Sequence, residues 1–136
     1  MNTRHTALAL VLVAQLVALD ARANDGALVS DVGAYGLVAT ALAVPALDED
    51  WDGLGQATLS VAAASAVGLV GKILIDAERP DGSSFDSFPS NHTANAIAAA
   101  TTLIVRQDTD LSYASLAVAT VVAIGRVKAE RHHVRD

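Results

Sequence analysis

The chain has 136 residues, of which 52% are hydrophobic and 18% are charged, and its formal net charge at neutral pH is -6. One domain is expected at this length, the acidic charge excludes a protein that binds a nucleic-acid backbone, and the apolar content excludes a disordered chain. The alanine-rich, aromatic-poor composition favours packed helices over a β-sandwich, and the lack of cysteine excludes disulfides and thiolate chemistry.

Residues 1–23 have the layout of a secretory signal peptide. Arg4 precedes an apolar run from Thr6 to Leu19, and the Ala21-Arg22-Ala23 sequence offers a cleavage site before Asn24. The run is shorter than the roughly 20 residues that a helix needs to cross a bilayer, which favours a removed signal over a permanent anchor. We therefore expect an exported mature domain of residues 24–136.

Four apolar, alanine-rich stretches follow, and each predicts a helix: Ala27–Leu47, Leu54–Ala77, His92–Arg106 and Leu111–Lys128. Segments rich in turn-forming residues separate them, at positions 48–53, 79–89 and 107–110. Short connections of this kind imply antiparallel neighbours. The predicted fold is all-α, an antiparallel bundle of about four helices after a signal peptide.

The charges at the two ends of the predicted bundle leave its relation to the membrane open. With the mature amino terminus outside, an up-down order places the acidic segments 48–52 and 107–110 inside and the basic regions around Arg79 and His132 outside. This order reverses the tendency of positive loops to stay inside. Two interpretations remain: a soluble or peripheral bundle in the periplasm, or an integral bundle whose outer basic residues serve a function. Both place the candidate site on the extracytoplasmic (periplasmic) side, and we expect the protein to be membrane-associated or integral.

A first candidate cluster consists of Lys72 and Arg79. Their seven-residue spacing returns to the same helix face after two turns, so both cations can point at one spot before Pro80 stops the helix. The alternative is a pair of cations that interact only with the dipole of a helix end.

A second candidate cluster opens the third predicted helix. Ser90 or Asn91 is a natural N-cap, and the free backbone N–H groups of the first turn form an anion site with His92 at its edge. A capped helix with a surface histidine is the alternative interpretation.

The third candidate cluster comprises Arg126, His132 and Asp136. If this stretch is helical, the Asp136 carboxylate lies one turn from His132, where it can fix the tautomer of the imidazole and leave the other ring nitrogen to attack. A solvated basic helix end is the alternative. A metal site is not expected, because adjacent His132 and His133 point in different directions on a helix.

These clusters together resemble the three signature motifs of the type-2 phosphatidic acid phosphatase superfamily, which includes bacterial acid phosphatases and vanadium haloperoxidases. The motifs read Lys-x6-Arg-Pro, Pro-Ser-x-His and Arg-x5-His-x3-Asp, in this order, from Lys72 to Asp136. The resemblance implies that His132 attacks phosphorus, that Asp136 orients it, and that His92 protonates the leaving oxygen and then activates water. It also implies a set of phosphate-binding residues: Lys72, Arg79, Ser90, Asn91 and Arg126.

The function implied by the resemblance is a metal-independent phosphatase for phosphomonoesters or lipid phosphates. Positioning and charge neutralisation are the main demands of phosphoryl transfer, and three cations meet them without a cofactor. Vanadate can replace phosphate in such a site. The alternatives are a vanadate-dependent haloperoxidase-like enzyme and a non-catalytic relative that binds phosphate or lipid.

Three departures from the family pattern affect these expectations. Asn91 stands where glycine is usual, so its side chain is expected to crowd the phosphate. Gly125 stands where serine is common, with the loss of one hydroxyl. The family continues into another helix after its third motif, so the resemblance implies a bundle without that last helix and a frayed Asp136. We therefore expect phosphate or vanadate to bind more readily than substrate turns over.

Overall fold

The structure is a computed structural model that describes residues 25–136, so the predicted signal peptide lies outside the described residues. It contains four helices, and we number them in chain order: α1 (Gly26–Leu47), α2 (Trp51–Leu74), α3 (Asn91–Gln107) and α4 (Asp110–Lys128). Within residues 25–136, β pairing is limited to one isolated bridge between Ala77 and Asp86. The predicted all-α bundle is confirmed.

Each helix begins where a short polar side chain accepts a hydrogen bond from a backbone N–H of the first turn. The four capping residues are Asp25, Asp50, Ser90 and Thr109. The Asp50 cap explains why α2 begins at Trp51 and not at the predicted Leu54, since its carboxylate accepts the N–H of Gly53 at 3.0 Å. Part of the acidic segment 48–53, which the sequence predicted to be a connection, is therefore helical.

The end of α2 differs from the prediction in a way that affects the site. The helix stops at Leu74, because Ile75 is extended and Ala77 pairs with Asp86. Arg79 precedes a proline, which disfavours helical geometry there. The expectation that Lys72 and Arg79 share a helix face is wrong, since Arg79 lies in the connection between α2 and α3.

Helix α3 packs against each of the other three helices, as α1 also does. Its buried face follows helical spacing through Ala96, Ala99, Ala100 and Leu103. The three small alanine side chains let the neighbouring helices approach closely.

The amino-terminal end of α1 packs tightly on the carboxyl-terminal end of α4. A Cβ atom on Gly125 would lie 2.8 Å from the carbonyl oxygen of Gly26, so the backbones themselves are in contact. A serine at position 125 has no room in this arrangement. The close approach brings Arg126 next to the first turns of α1.

Helix α2 lies at the periphery and exposes much of its apolar surface. Its buried residues are limited to Gly53, Ala57 and Gly68. Large apolar side chains on its outer face are exposed, among them Leu59, Val67, Ile73 and Leu74. Helices α1 and α2 each have the length and hydropathy of a membrane span, with a mean hydropathy of 1.7.

Candidate active site

The antiparallel order of the helices gathers the predicted site residues at one end of the bundle. This end is formed by the amino-terminal ends of α1 and α3 and the carboxyl-terminal ends of α2 and α4, together with the irregular segments 75–90 and 129–136. It holds all eight predicted residues: Lys72, Arg79, Ser90, Asn91, His92, Arg126, His132 and Asp136.

Lys72 and Arg79 meet at Asp86, a residue that the sequence did not single out. The Nε and Nη2 atoms of Arg79 lie 2.8 and 3.0 Å from the Asp86 carboxylate oxygens. Lys72 donates to the backbone carbonyl of Asp86, and its Nζ is 3.7 Å from the carboxylate. A hydrogen bond from Ser84 and the two cations hold the pKa of Asp86 below its usual value, against the opposing effect of burial. The predicted convergence of the two cations occurs, although only one of them is on a helix.

His92 and Arg126 meet at a second carboxylate, that of Asp31 in α1. Oδ1 of Asp31 lies 3.1 Å from Nε2 of His92 and 3.1 Å from Nη1 of Arg126. Burial and the Arg126 charge lower the pKa of His92, and the Asp31 charge opposes them. Among the described residues, Nε of Arg126 has no hydrogen-bond partner, so the guanidinium retains a buried donor for an oxyanion.

His132 is buried and fixed by a carbonyl group. Its Nδ1 lies 2.6 Å from the backbone oxygen of Ser87, and the residue is only 3% exposed. Since a carbonyl can only accept, Nδ1 carries the proton and Nε2 keeps its lone pair. Burial lowers the pKa of His132 to about 4, despite the opposing effect of the Ser87 hydrogen bond. The imidazole is therefore a neutral base or nucleophile over most of the pH scale.

The expected helical pairing of His132 with Asp136 is wrong. Helix α4 ends at Lys128, and the following residues form turns and bends. Oδ2 of Asp136 is 3.6 Å from Nδ1 of His132, too far for a hydrogen bond. Contacts with the segment that precedes α3, and not a helix, hold residues 129–136 in place.

The expectation that Asp136 is frayed is also wrong. Its side chain is 1% exposed and accepts hydrogen bonds from the Ser87 hydroxyl and from the His133 backbone N–H, the latter at 2.7 Å. Its backbone oxygen accepts the N–H of Ser90 at 3.3 Å. Burial raises the pKa of Asp136, but the two hydrogen bonds outweigh it and the pKa is lowered. The carboxylate is therefore charged and ordered.

Ser90 and Asn91 form the start of α3. The Ser90 hydroxyl caps the helix by accepting the N–H of Thr93, and Ser90 is 3% exposed. The Asn91 side chain lies against α2, where a Cβ atom on Gly68 would be 1.7 Å from its Oδ1. The space for Asn91 thus comes from a glycine on the neighbouring helix.

The contact between Asn91 and Gly68 predicts a coupled effect on stability. We expect Gly68→Ala to lower the free energy of unfolding by about 1–3 kcal/mol, because the new methyl group overlaps the Asn91 side chain. Adding Asn91→Gly removes the overlap, so the double variant should recover much of the loss. Denaturant unfolding measures both.

A matched control is available on the same helix. A Cβ atom on Gly55 meets nothing within 4 Å, so Gly55→Ala should stabilise α2 by about 0.5–1 kcal/mol. Equal stability of Gly68→Ala and Gly55→Ala would contradict the proposed overlap.

A cavity of about 240 Å³ opens beside His92. Helix α1 supplies one wall and α3 the other, with the lining residues Ala34, Tyr35, Val38, Asn91, His92 and Asn95. The Tyr35 ring packs edge-on to the imidazole, with 5.6 Å between ring centroids. This position, adjacent to the predicted acid, has room for the leaving group of a phosphoester.

Three residues of this site were not predicted from the sequence: Asp31, Asp86 and Ser87. Asp31 is a charged residue within an apolar helix, and such a residue indicates a specific role. Asp86 and Ser87 lie between two motifs in a segment assigned only as a turn region, and no local spacing distinguishes them.

Comparison with known proteins agrees with the motifs. The family model of the PAP2 superfamily matches residues 53–136. Comparisons with curated proteins and with solved structures gave no significant match. Asp31 and the α1 wall of the cavity lie outside the matched segment, which contains all three motifs and covers more than half of the chain. The chain therefore belongs to the PAP2 superfamily.

Proposed function

We propose that this protein is a metal-independent phosphatase that hydrolyses phosphomonoesters or lipid phosphates through a phosphohistidine. The observation that carries the proposal is the state of His132, a buried neutral imidazole whose Nδ1–H is held by Ser87 and whose Nε2 is left with a lone pair. Three cations lie at the same end of the bundle. A nucleophile beside positive charge is the combination that phosphoryl transfer requires.

The first chemical step forms the phosphoenzyme. Nε2 of His132 attacks phosphorus, the bond to the leaving oxygen breaks, and its electron pair stays on that oxygen. His92, in its protonated form, donates a proton to the oxygen, so the product leaves as an alcohol. Lys72, Arg79 and Arg126 neutralise the charge on the other phosphoryl oxygens.

The second step regenerates the enzyme. His92, now neutral, removes a proton from water, and the oxygen of that water attacks phosphorus. The P–N bond breaks and its electron pair returns to His132. Phosphate then leaves, and the proton remains on His92 for the next cycle.

Phosphate release from a panel of substrates tests the proposal. The panel contains p-nitrophenyl phosphate, an alkyl phosphate and a short-chain phosphatidic acid in mixed micelles. We expect hydrolysis that EDTA changes by less than about twofold, because the three cations supply the charge that a metal would otherwise supply. Tight vanadate binding without hydrolysis of any substrate would favour a non-catalytic binding protein and contradict the proposal.

The pH dependence provides a second test. Phosphoenzyme formation needs neutral His132, so it should persist down to pH 5 and decline as the pH falls through about 4. In the unfolded chain the imidazole takes up its proton near its usual pKa of 6.5, whereas in the native protein it stays neutral until the pH reaches about 4. The free energy of unfolding should therefore decrease as the pH is lowered from 6.5 to 4. Histidine NMR titration of native and urea-unfolded protein measures both midpoints. A native midpoint near 6.5 would contradict a buried, neutral nucleophile.

We further propose that α1 and α2 associate with a membrane and that the site faces the extracytoplasmic side. The exposed apolar face of α2 and the hydropathy of both helices support membrane association. The chain has no cysteine, so single introduced cysteines can be labelled selectively. A membrane-impermeant maleimide added to intact spheroplasts should label Ser83→Cys, near the site, and not Asp52→Cys, at the opposite end. The reverse pattern would contradict the proposed orientation.

A further inference from the structure

Ser87 lies between the nucleophile and the acidic residue of the third motif. It is fully buried, and three of its groups are engaged. Its N–H donates to the carbonyl of Ala77 at 2.9 Å, and its own carbonyl accepts from Nδ1 of His132 at 2.6 Å. Its hydroxyl donates to Oδ2 of Asp136. One residue therefore contacts both members of the predicted pair.

Asp136 does not contact the nucleophile by a hydrogen bond of its own. Its Oδ2 is 3.6 Å from Nδ1 of His132, whereas the Ser87 carbonyl is 1 Å closer, at 2.6 Å. Nδ1 has a single proton, and the shorter contact takes it. The hydrogen-bonded route from Asp136 to the imidazole therefore passes through Ser87, which both residues contact.

We propose that Ser87 is a positioning residue through which Asp136 orients His132: the carboxylate fixes the Ser87 hydroxyl, and the Ser87 carbonyl fixes the imidazole. This inference rests on the proposed phosphatase function, because it assigns the means by which the nucleophile is held. In this arrangement, Asp136 anchors the segment before α3 and is not a direct hydrogen-bond partner of the imidazole.

The physical reason is the precision that attack on phosphorus requires. Without the Ser87 hydroxyl, a buried carboxylate loses one of its two donors, which is costly and drives the surrounding segment to rearrange. The Ser87 peptide is then held only by its N–H, and its carbonyl no longer selects one orientation of the ring. A displacement of about 1 Å at a reacting group lowers a rate by about 100-fold.

A double-mutant cycle on the full chain tests this route. We expect Ser87→Ala to slow phosphohistidine formation from p-nitrophenyl phosphate by about 100-fold while KM changes little. Asp136→Ala should cause a similar loss in the parent chain and almost none in the Ser87→Ala chain, because the path to His132 is already broken. Losses that multiply in the double variant would show that Asp136 acts on His132 independently and would overturn the proposal.

Asp136→Asn tests the same route without changing Ser87. Its amide oxygen can accept from both the Ser87 hydroxyl and the His133 N–H, so this variant should retain activity within about tenfold of the parent. If the negative charge acts directly on the imidazole, Asp136→Asn will lose as much as Asp136→Ala. That result would also overturn the proposal.

A spectroscopic measurement distinguishes failure of this inference from failure of the proposed function. The ¹⁵N resonances of His132 report its tautomer whether or not the chain turns over any substrate. We expect the Nδ1–H tautomer alone in the parent and a mixture of both tautomers in Ser87→Ala. Ser115→Ala is the matched control, since Ser115 is equally buried and its hydroxyl bonds to backbone carbonyls away from the site. An unchanged His132 tautomer in Ser87→Ala, or the same change in Ser115→Ala, would contradict the proposed role.

Discussion

Replacing His132 by alanine should abolish phosphoenzyme formation and lower phosphate release by about 10⁴-fold or more, since removal of a catalytic nucleophile has effects of this size. In the structure, this imidazole is buried, neutral and fixed by the Ser87 carbonyl. The measurement is acid-labile ³²P incorporation from labelled substrate, followed by steady-state phosphate release.

His133→Ala is the control for this prediction. His133 is adjacent in sequence, but its ring lies on the side of Asp136, with Nδ1 3.5 Å from the carboxylate. We expect its loss to lower activity by less than about tenfold. Label incorporation that survives in His132→Ala and disappears in His133→Ala would assign the nucleophile to the neighbouring residue.

Replacement of His92 by alanine should have an effect that depends on the leaving group. For an alkyl phosphate, whose alkoxide is a poor leaving group, we expect a loss of about 10²–10⁴-fold, the usual contribution of a positioned acid. For p-nitrophenyl phosphate the loss should be much smaller, because nitrophenolate departs with little protonation. The ratio of kcat values for the two substrates is the measured quantity.

Asn95→Ala provides a comparison within the same cavity. Asn95 lines the wall that contains His92, and its side chain accepts a hydrogen bond from Ser65 at 3.0 Å. A change in cavity shape alone should affect both substrates similarly and leave the ratio unchanged. Equal losses on both substrates in His92→Ala would contradict the assignment of His92 as the acid.

The helical architecture could be predicted because its determinants are local. The buried face of α3, with Ala96, Ala99, Ala100 and Leu103, follows helical periodicity, and short polar caps define the helix starts. The family motifs predicted the histidines and cations of the candidate site from their residue types and spacing. These parts of the fold and site depend on residues within a few positions of one another.

The connections between the helices could not be predicted, because long-range contacts determine them. Segment 129–136 is not a continuation of α4, since Glu130 accepts the N–H of Asp81 at 3.3 Å and Arg131 contacts the Asp81 carboxylate at 3.2 Å. Ser87 and Asp136 are 49 positions apart in sequence. An i, i+4 pattern suggested a helical pair, while tertiary contacts with segment 75–90 determined the actual geometry.

Under the proposed function, the two carboxylates on the candidate phosphate-binding cations have a consequence for ligand exchange. Asp31 contacts Arg126 and His92, and Asp86 contacts Lys72 and Arg79. The positive charges of the site are therefore already paired with carboxylates before any ligand binds. Like charges gathered in a poorly solvated space repel one another, and the two acids remove that repulsion. Under the proposed function, the unpaired Nε of Arg126 can receive phosphate directly, whereas the donors that contact Asp31 and Asp86 become available only when phosphate replaces the carboxylate oxygens. When the phosphate product leaves in the proposed cycle, the same carboxylates would return to these donors and compete with its rebinding.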